Sequence, residues 1–175
     1  SGQVVSLNNI TILSEVQGKI IGKNTFKKGI EVNKGMTILN VENADVKLLI
    51  RAKKSRLMAL IASNLADIKM DFENEYEKWN DFLNNIELDK RLPVFPKMNK
   101  EKNFIFNRNI LAEYESIRSD EERLRKYTIT APFDGIITRS YTDVGGNLNP
   151  GSPIVDFIRK DQMEVELTIN MNEIT

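Results

Sequence analysis

The sequence predicts an α+β protein: one β unit assembled from two separated halves, with an antiparallel helical hairpin inserted between them. Two observations carry this. A glycine-punctuated strand pattern occurs twice, at 16–41 and at 133–157, and a long stretch of helical periodicity lies between the copies. In the first copy Gly18 opens the pattern, Gly29 interrupts it, and Gly35 precedes Met36-Thr37-Ile38-Leu39. In the second, Gly135 opens, Gly145 and Gly146 interrupt, and Gly151 precedes Ser152-Pro153-Ile154-Val155. The interval from Gly18 to Gly35 is 17 positions and that from Gly135 to Gly151 is 16, so the halves form one pseudo-symmetric unit.

The first half holds four short apolar runs, around Ile10–Leu13, Gly18–Ile21, Gly29–Val32 and Thr37–Val41. Each is bounded by Gly, Asn or Lys, and the β-branched content reads as strands. At Asn43-Ala44-Asp45 the period changes, and residues 45–92 contain neither Gly nor Pro. Met58, Leu65, Phe72, Trp79 and Ile86 recur every seven residues, with Ile61, Ile68, Glu75 and Phe82 three further on. This 3-4 spacing predicts a narrow coiled-coil seam along a continuous helix over about 45–88, roughly 65 Å long at ~1.5 Å per residue.

Phe106, Ile110, Tyr114, Ile117 and Leu124 give a return helix over about 101–127. If the limbs run antiparallel from 44 and 127, Leu57 faces Tyr114, Ile61 faces Ile110 and Leu65 faces Phe106. The same register sets Lys47, Arg51, Lys53, Lys54 and Arg56 beside Asp120, Glu121 and Glu122, where they are expected to form exposed ion pairs. Pro93 and Pro96 forbid regular helix through 89–100, which is expected as an irregular tip. Its apolar residues, Phe82, Ile86, Leu92, Val94, Phe95 and Met98 with Arg91, either cover the upper seam or dock on another protein. Strand signals resume at Ile129. Pro132, Asp134 and Gly135 form a turn, and Met163–Ile169 begins a further strand. The resulting segments are 1–43, 44–127, 128–160 and 161–175.

Composition removes whole classes of function. There are 25 basic and 25 acidic residues, so no net field recruits nucleic acid or an anionic membrane. The chain has no cysteine and no histidine, which excludes disulfides and thiolate sites and removes the commonest general base and metal ligand. No apolar run reaches the ~20 residues that span a bilayer. Ser1-Gly2 reads as a cloning scar and the chain as a piece of something longer. The glycines match neither phosphate-loop nor dinucleotide spacing. Asp120-Glu121-Glu122 reads as an ion-paired face and not a cation site, and Trp79 as packing and not base stacking. No catalytic set, cofactor site or metal site is expected.

Thr130-Ala131-Pro132-Phe133-Asp134-Gly135-Ile136-Ile137, with Gly151-Ser152-Pro153-Ile154-Val155 after it, resembles the second lipoyl half of the membrane fusion proteins. These are the periplasmic adaptors of tripartite efflux pumps and type I secretion systems. Val16-Gln17-Gly18-Lys19-Ile20 and the run Lys28–Leu39 resemble that family's first half. The resemblance covers about residues 10–175. It implies a lipoyl-like β-sandwich, or barrel-sandwich hybrid, closed from 10–43 and 128–160, and a truncated β-barrel domain starting at Met163. It also implies a periplasmic protein anchored to the inner membrane, which forms rings and links an inner-membrane transporter to an outer-membrane channel. The family's spaced Arg, Leu and Ser at the hairpin tip are not found here, since Arg91 and Arg108 lack the expected followers. Two other classes compete. One is a coiled-coil scaffold without a transport role. The other is a biotin or lipoate carrier, for which the sequence offers no lysine in the expected tripeptide.

Overall fold

A computed structural model describes residues 3–5, 9–22, 27–160 and 164–166. The chain divides into two compact units, one of residues 1–42 with 126–175 and one of residues 43–125.

The first unit is all β. Its strands are β1 (Gln3–Val5), β2 (Asn9–Leu13), β3 (Gly18–Ile21), β4 (Glu31–Val32) and β5 (Thr37–Val41) from the first half. The second half gives β6 (Thr128–Thr130), β7 (Gly135–Ser140), β8 (Asn147–Leu148), β9 (Pro153–Arg159) and β10 (Glu164–Glu166). Two four-stranded sheets have the orders β2-β9-β7-β4 and β6-β5-β3-β8, and β1 pairs with β10. Each four-stranded sheet draws on both halves, and every pairing except β7 with β9 and β3 with β5 joins one half to the other. Exchanging the halves turns one order into the other, β2 for β6, β9 for β5, β7 for β3 and β4 for β8. The seventeen-versus-sixteen glycine interval is therefore an internal two-fold. The expected barrel strand at Met163–Ile169 falls mostly outside the described residues.

The same exchange holds for individual hydrogen bonds. Gly35 N–H donates to Ala131 O (2.8 Å) and Ala131 N–H to Met36 O (2.9 Å), while Gly151 N–H donates to Ser14 O (2.8 Å) and Ser14 N–H to Ser152 O (2.9 Å). Gly35 and Gly151 have φ of 82° and 86°, a left-handed turn that glycine adopts without the clash of a Cβ. Between the sheets lie Ile20, Val32, Ile38, Val41, Ile137, Leu148, Ile154 and Phe157, all buried.

The second unit is helical: α1 (Ala44–Asp71), α2 (Glu73–Asn84), α3 (Lys102–Asn107) and α4 (Ile110–Arg125). The expected continuous helix over 45–88 is not formed. It breaks at Phe72, which has φ −140° and ψ 52° and serves both as the C-cap of α1 and as the N-cap of α2. Beyond the break the chain doubles back. Arg51 bonds Asp89, and Lys54 Nζ donates to the carbonyl of Lys90, which a straight helix would carry tens of ångströms away. The return limb is also divided, at Asn109, whose φ of 57° is one of the few left-handed conformations that asparagine accepts.

The antiparallel register between α1 and the return limb agrees with the sequence reading to within a few positions, with Lys53–Asp120 at 2.6 Å and Lys54–Glu121 at 2.8 Å to α4 and Asp67–Arg108 at 3.2 Å to the end of α3. The seam itself is not a two-helix coiled coil. Ile61, Ile68, Trp79, Ile110 and Ile117 are fully buried in one core shared by all four helices, Tyr114 is buried there too, and Met58, Leu65 and Phe72 are half-buried at its margin. Phe106 is 42% exposed and does not face Leu65; Ile105 points inward instead, because the break at Asn109 separates the phase of α3 from that of α4. Each fully buried aliphatic contributes about 1.5–3 kcal/mol.

Candidate functional site

The residues expected at a projecting tip have another role. Because α2 folds back along α1, residues 86–100 form an extended strap whose beginning lies beside Arg51 and Lys54, in the first half of α1. Phe82, Ile86 and Leu92 are buried, and Phe95 and Met98 are packed against the same core. Phe95 meets Trp79, Phe82 and Tyr114 at ring-centroid distances of 5.4, 5.8 and 4.8 Å. Arg91 bonds Glu122 at 2.5 Å. Of the apolar residues expected to dock, only Val94, at 90% exposure, is open to solvent. The seam found its cover inside the chain.

A strap without helix or sheet bonds must satisfy its backbone elsewhere. Two buried carboxylates, a phenol and an ammonium provide for this. Leu92 N–H donates to Glu121 Oε1 at 2.9 Å, the Tyr114 hydroxyl donates to Pro93 O at 3.0 Å, and Lys78 Nζ donates to Lys97 O at 2.7 Å. At its end Asn99 N–H donates to Glu101 Oε2 at 2.9 Å, and Glu101 Oε1 accepts from Lys78 Nζ at 2.6 Å and from Trp79 Nε1 at 3.1 Å. Burial pushes Glu101 up, but the bonds from Lys78, the backbone and Trp79 outweigh it and hold the carboxyl below its usual range. Burial likewise lowers Lys78, and Glu101 and Glu75 more than reverse this, so its ammonium is held above the ordinary value.

The sequence reading missed these fasteners. It set Lys54 and Glu121 on an exposed face, whereas their side chains are only 3% and 9% exposed. A fully buried Trp79 was the available signal, since its indole N–H demands an acceptor. The triplet Asp120, Glu121 and Glu122 offers no cation site: Lys53 answers Asp120, Lys54 and Arg118 answer Glu121, and Arg91 and Arg125 answer Glu122.

In the helical unit the end opposite residues 43 and 125 is built from the Phe72 break and α3. Phe72 and Phe104 lie 5.8 Å apart, Arg108 sits over Phe104 at 5.2 Å and Lys102 over Phe106 at 5.6 Å. Met70, 83% exposed, and Phe106 leave apolar surface open at this end.

In the β unit the turn residues join the halves. Asp134 Oδ1 accepts from Lys34 N–H at 2.6 Å, so the carboxylate expected only to form its own turn holds the turn of the other half as well. Gly135 is closely covered, and a Cβ there would lie 2.2 Å from Ile158 O and 2.8 Å from Phe157 Cζ. Gly18, its counterpart, would bring a Cβ within 2.6 Å of Val41 Cγ1. Gly29 N–H donates to Ile137 O at 2.7 Å, and Pro132 is exposed in the turn before Phe133, which stacks on Phe157 at 4.9 Å. Among the described residues no helix is long and apolar enough to cross a membrane, and no group of three acidic residues is placed to hold a metal.

Three comparisons bear on this architecture. The barrel-sandwich hybrid domain of the RND membrane fusion proteins matches residues 8–155. No curated protein matches the chain. Among solved structures, a chimeric MacA-MexA protein carrying the α-hairpin domain of Pseudomonas aeruginosa MexA aligns over 98% of this chain and 53% of its own, with TM-score 0.64 and 18% identity. The periplasmic adaptor protein EmrA aligns over 96% and 77%, with TM-score 0.61 and 13% identity. A putative efflux transporter from Bacteroides eggerthii aligns over 91% and 42%, with TM-score 0.56 and 19% identity. The chain thus spans less than half the length of the last of these and about half of the first. The fold is theirs, and the match over residues 8–155 places the chain in the family: it belongs to the RND-type membrane fusion proteins, the periplasmic adaptors, and carries their barrel-sandwich hybrid domain with its helical insertion.

Proposed function

We propose that this chain is the central part of a non-enzymatic adaptor that works in the periplasm, joins an inner-membrane transporter to an outer-membrane channel, and assembles as a ring in the full-length protein. The observation that supports this reading best is the family match across residues 8–155, which takes in both β halves and the helical insertion together. A chain with no cysteine and no histidine, and among its described residues no group of carboxylates placed to hold a metal, suits a part that makes contacts and performs no chemistry. Contact with the outer component is assigned to the end of the helical unit bearing Met70, Phe106 and Lys102, since the strap residues are occupied internally.

Light scattering on the full-length protein in detergent, alone and with its transporter, tests the assembly. A ring-sized complex is expected; a protein that stays monomeric alongside its transporter overturns the reading. Replacing Met70 and Phe106 with Ser is expected to abolish capture of the outer component while leaving transporter capture intact.

A further inference from the structure

We infer that the helical unit is a two-state element hinged at Phe72, in which α2 and the strap form an arm that swings between the folded-back state and a state where α1 and α2 run on as one helix. The inference stands on the fold of this unit and does not depend on the adaptor reading.

Three observations carry it. The seven-residue apolar repeat of Met58, Leu65, Phe72, Trp79 and Ile86 passes through the break without a change of phase, and residues 45–92 contain neither glycine nor proline. Local preference therefore favours continuous helix across position 72, and the break is imposed by tertiary packing. Second, the break is not sealed by a side-chain cap, although Lys69 at the end of α1 and Glu73 and Glu75 at the start of α2 carry charges that suit helix ends. Phe72 caps α2 without a side-chain hydrogen bond, and phenylalanine is a poor N-cap where Ser, Thr, Asp or Asn would seal the end. Third, the arm is held by discrete fasteners, namely Glu121 on Leu92, Tyr114 on Pro93 and Glu101 on Trp79 and Asn99. These can release together while α1 and α4 keep their own pairs, Lys53–Asp120 and Lys54–Glu121.

The chain length allows the swing. With α1 and α2 straight, the C-terminus of α2 lies roughly 26 Å beyond the level of Asp67, at 1.5 Å per residue. The segment 85–109 could span up to about 80 Å when extended, so α4 can stay in place. The straight state uncovers Trp79, Phe82 and Ile86 as one stripe. It is a minority state because these side chains are buried in the folded-back one, and a partner that covers the stripe would raise its population.

The test uses position 73, the first residue of α2. Proline is tolerated at the first position of a helix but breaks a helix interior. Glu73→Pro therefore leaves the folded-back state in place and forbids the straight one. Amide hydrogen exchange on the whole chain is expected to show Leu92, whose N–H is held by Glu121, exchanging through an opening smaller than global unfolding, while 50–68 and the interior of α2, helical in both states, stay more protected. In Glu73→Pro this opening is expected to fall at least tenfold. Should that variant fail to fold, Glu73→Gly against Glu73→Ala supplies the contrast, with an expected opening about fivefold rarer for glycine, the ratio set by ~1 kcal/mol of helix propensity. Exchange of Leu92 only through global unfolding overturns the inference. So does an opening that none of these substitutions changes, since local release of the strap does not require a helix through position 73.

Discussion

Removing one partner of the Lys54–Glu121 pair tests whether the helical unit is held by its surface or by its interior. The two side chains lie 2.8 Å apart and are 3% and 9% exposed, so the pair belongs to the buried class. An exposed pair would contribute about 0.2–1 kcal/mol, whereas stranding one member of a buried pair costs about 3–5 kcal/mol. Glu121→Leu leaves the Lys54 ammonium with only the Lys90 carbonyl and deprives Leu92 N–H of its acceptor, so the upper range applies. Lys54→Met is milder, because Glu121 keeps Leu92 N–H and Arg118 at 3.2 Å; about 1–3 kcal/mol is expected. The double variant removes both charges and leaves two backbone groups unpaired, so it should cost less than the sum of the singles by about 1–3 kcal/mol. Trp79 is the sole tryptophan and sits in the core of this unit, so its fluorescence in urea follows the helical unit without interference from the β unit. With a slope of about 1–2 kcal/mol/M, Glu121→Leu should lower the midpoint by more than 1 M. A cost below about 1 kcal/mol for Glu121→Leu, or strict additivity in the double variant, would refute the buried pair.

The same reporter should show a stability plateau bounded on both sides by pH. Glu101 is held below its ordinary value of 4.5, so the stability it contributes is present above that value and lost as acid carries pH down through its folded pKa. Lys78, held above 10.5, contributes stability that is present below that value and lost as pH rises through its folded pKa. Glu101→Gln should lower stability at neutral pH and flatten the acid limb, as read by urea midpoints from pH 3 to 7. In the β unit, Gly135→Ala forces a Cβ to 2.2 Å from a backbone oxygen, and calorimetry should find the unit destabilised by more than about 3 kcal/mol or unfolded. Gly35→Ala and Gly151→Ala meet open space and pay only for left-handed backbone, so each should cost about 1–2 kcal/mol, and the two-fold predicts that the costs match.

The β unit was legible because its signal is local. Gly18, Gly29 and Gly35 mark turns in their own neighbourhood, and the recurrence at Gly135, Gly145 and Gly151 exposed the pairing of halves more than a hundred residues apart. The helical unit was legible only in its periodicity. The residues of the repeat were read as a narrow coiled-coil seam, whereas most are buried in a four-helix core and Phe106 is exposed; the repeat fixes a face and says nothing of which segment covers it, so one long hairpin and a doubled-back bundle share the same pattern. What decided between them was non-local: the fit of Phe82 and Phe95 against Tyr114 and of Trp79 against Phe95, and the supply of Glu101 and Glu121 to a strap that cannot bond to itself. The proline-broken run at 93–96 was read as a tip because proline forbids helix, yet proline equally suits an extended strap along a core.

The internal two-fold also explains how a β unit tolerates so large an interruption. Val41 N–H donates to Tyr127 O at 2.8 Å, so the points where the chain leaves and re-enters this unit are bonded to each other within β5 and the run into β6. The 83 residues between them, 43–125, close a loop whose ends the sheets already fix. Closure entropy grows only logarithmically with length, so a long insertion costs little more than a short one, and less still when it folds on itself. Because the central pair of each sheet comes from one half and its two outer strands from the other, neither half can complete a sheet alone. The β unit therefore requires the second half to be present before any of it is stable, whereas the fasteners of the helical unit, Glu101, Tyr114 and Glu121, all lie within 43–125. Order within the insertion can be changed, by a hinge or by evolution of its length, without disturbing the bonds that hold the halves together.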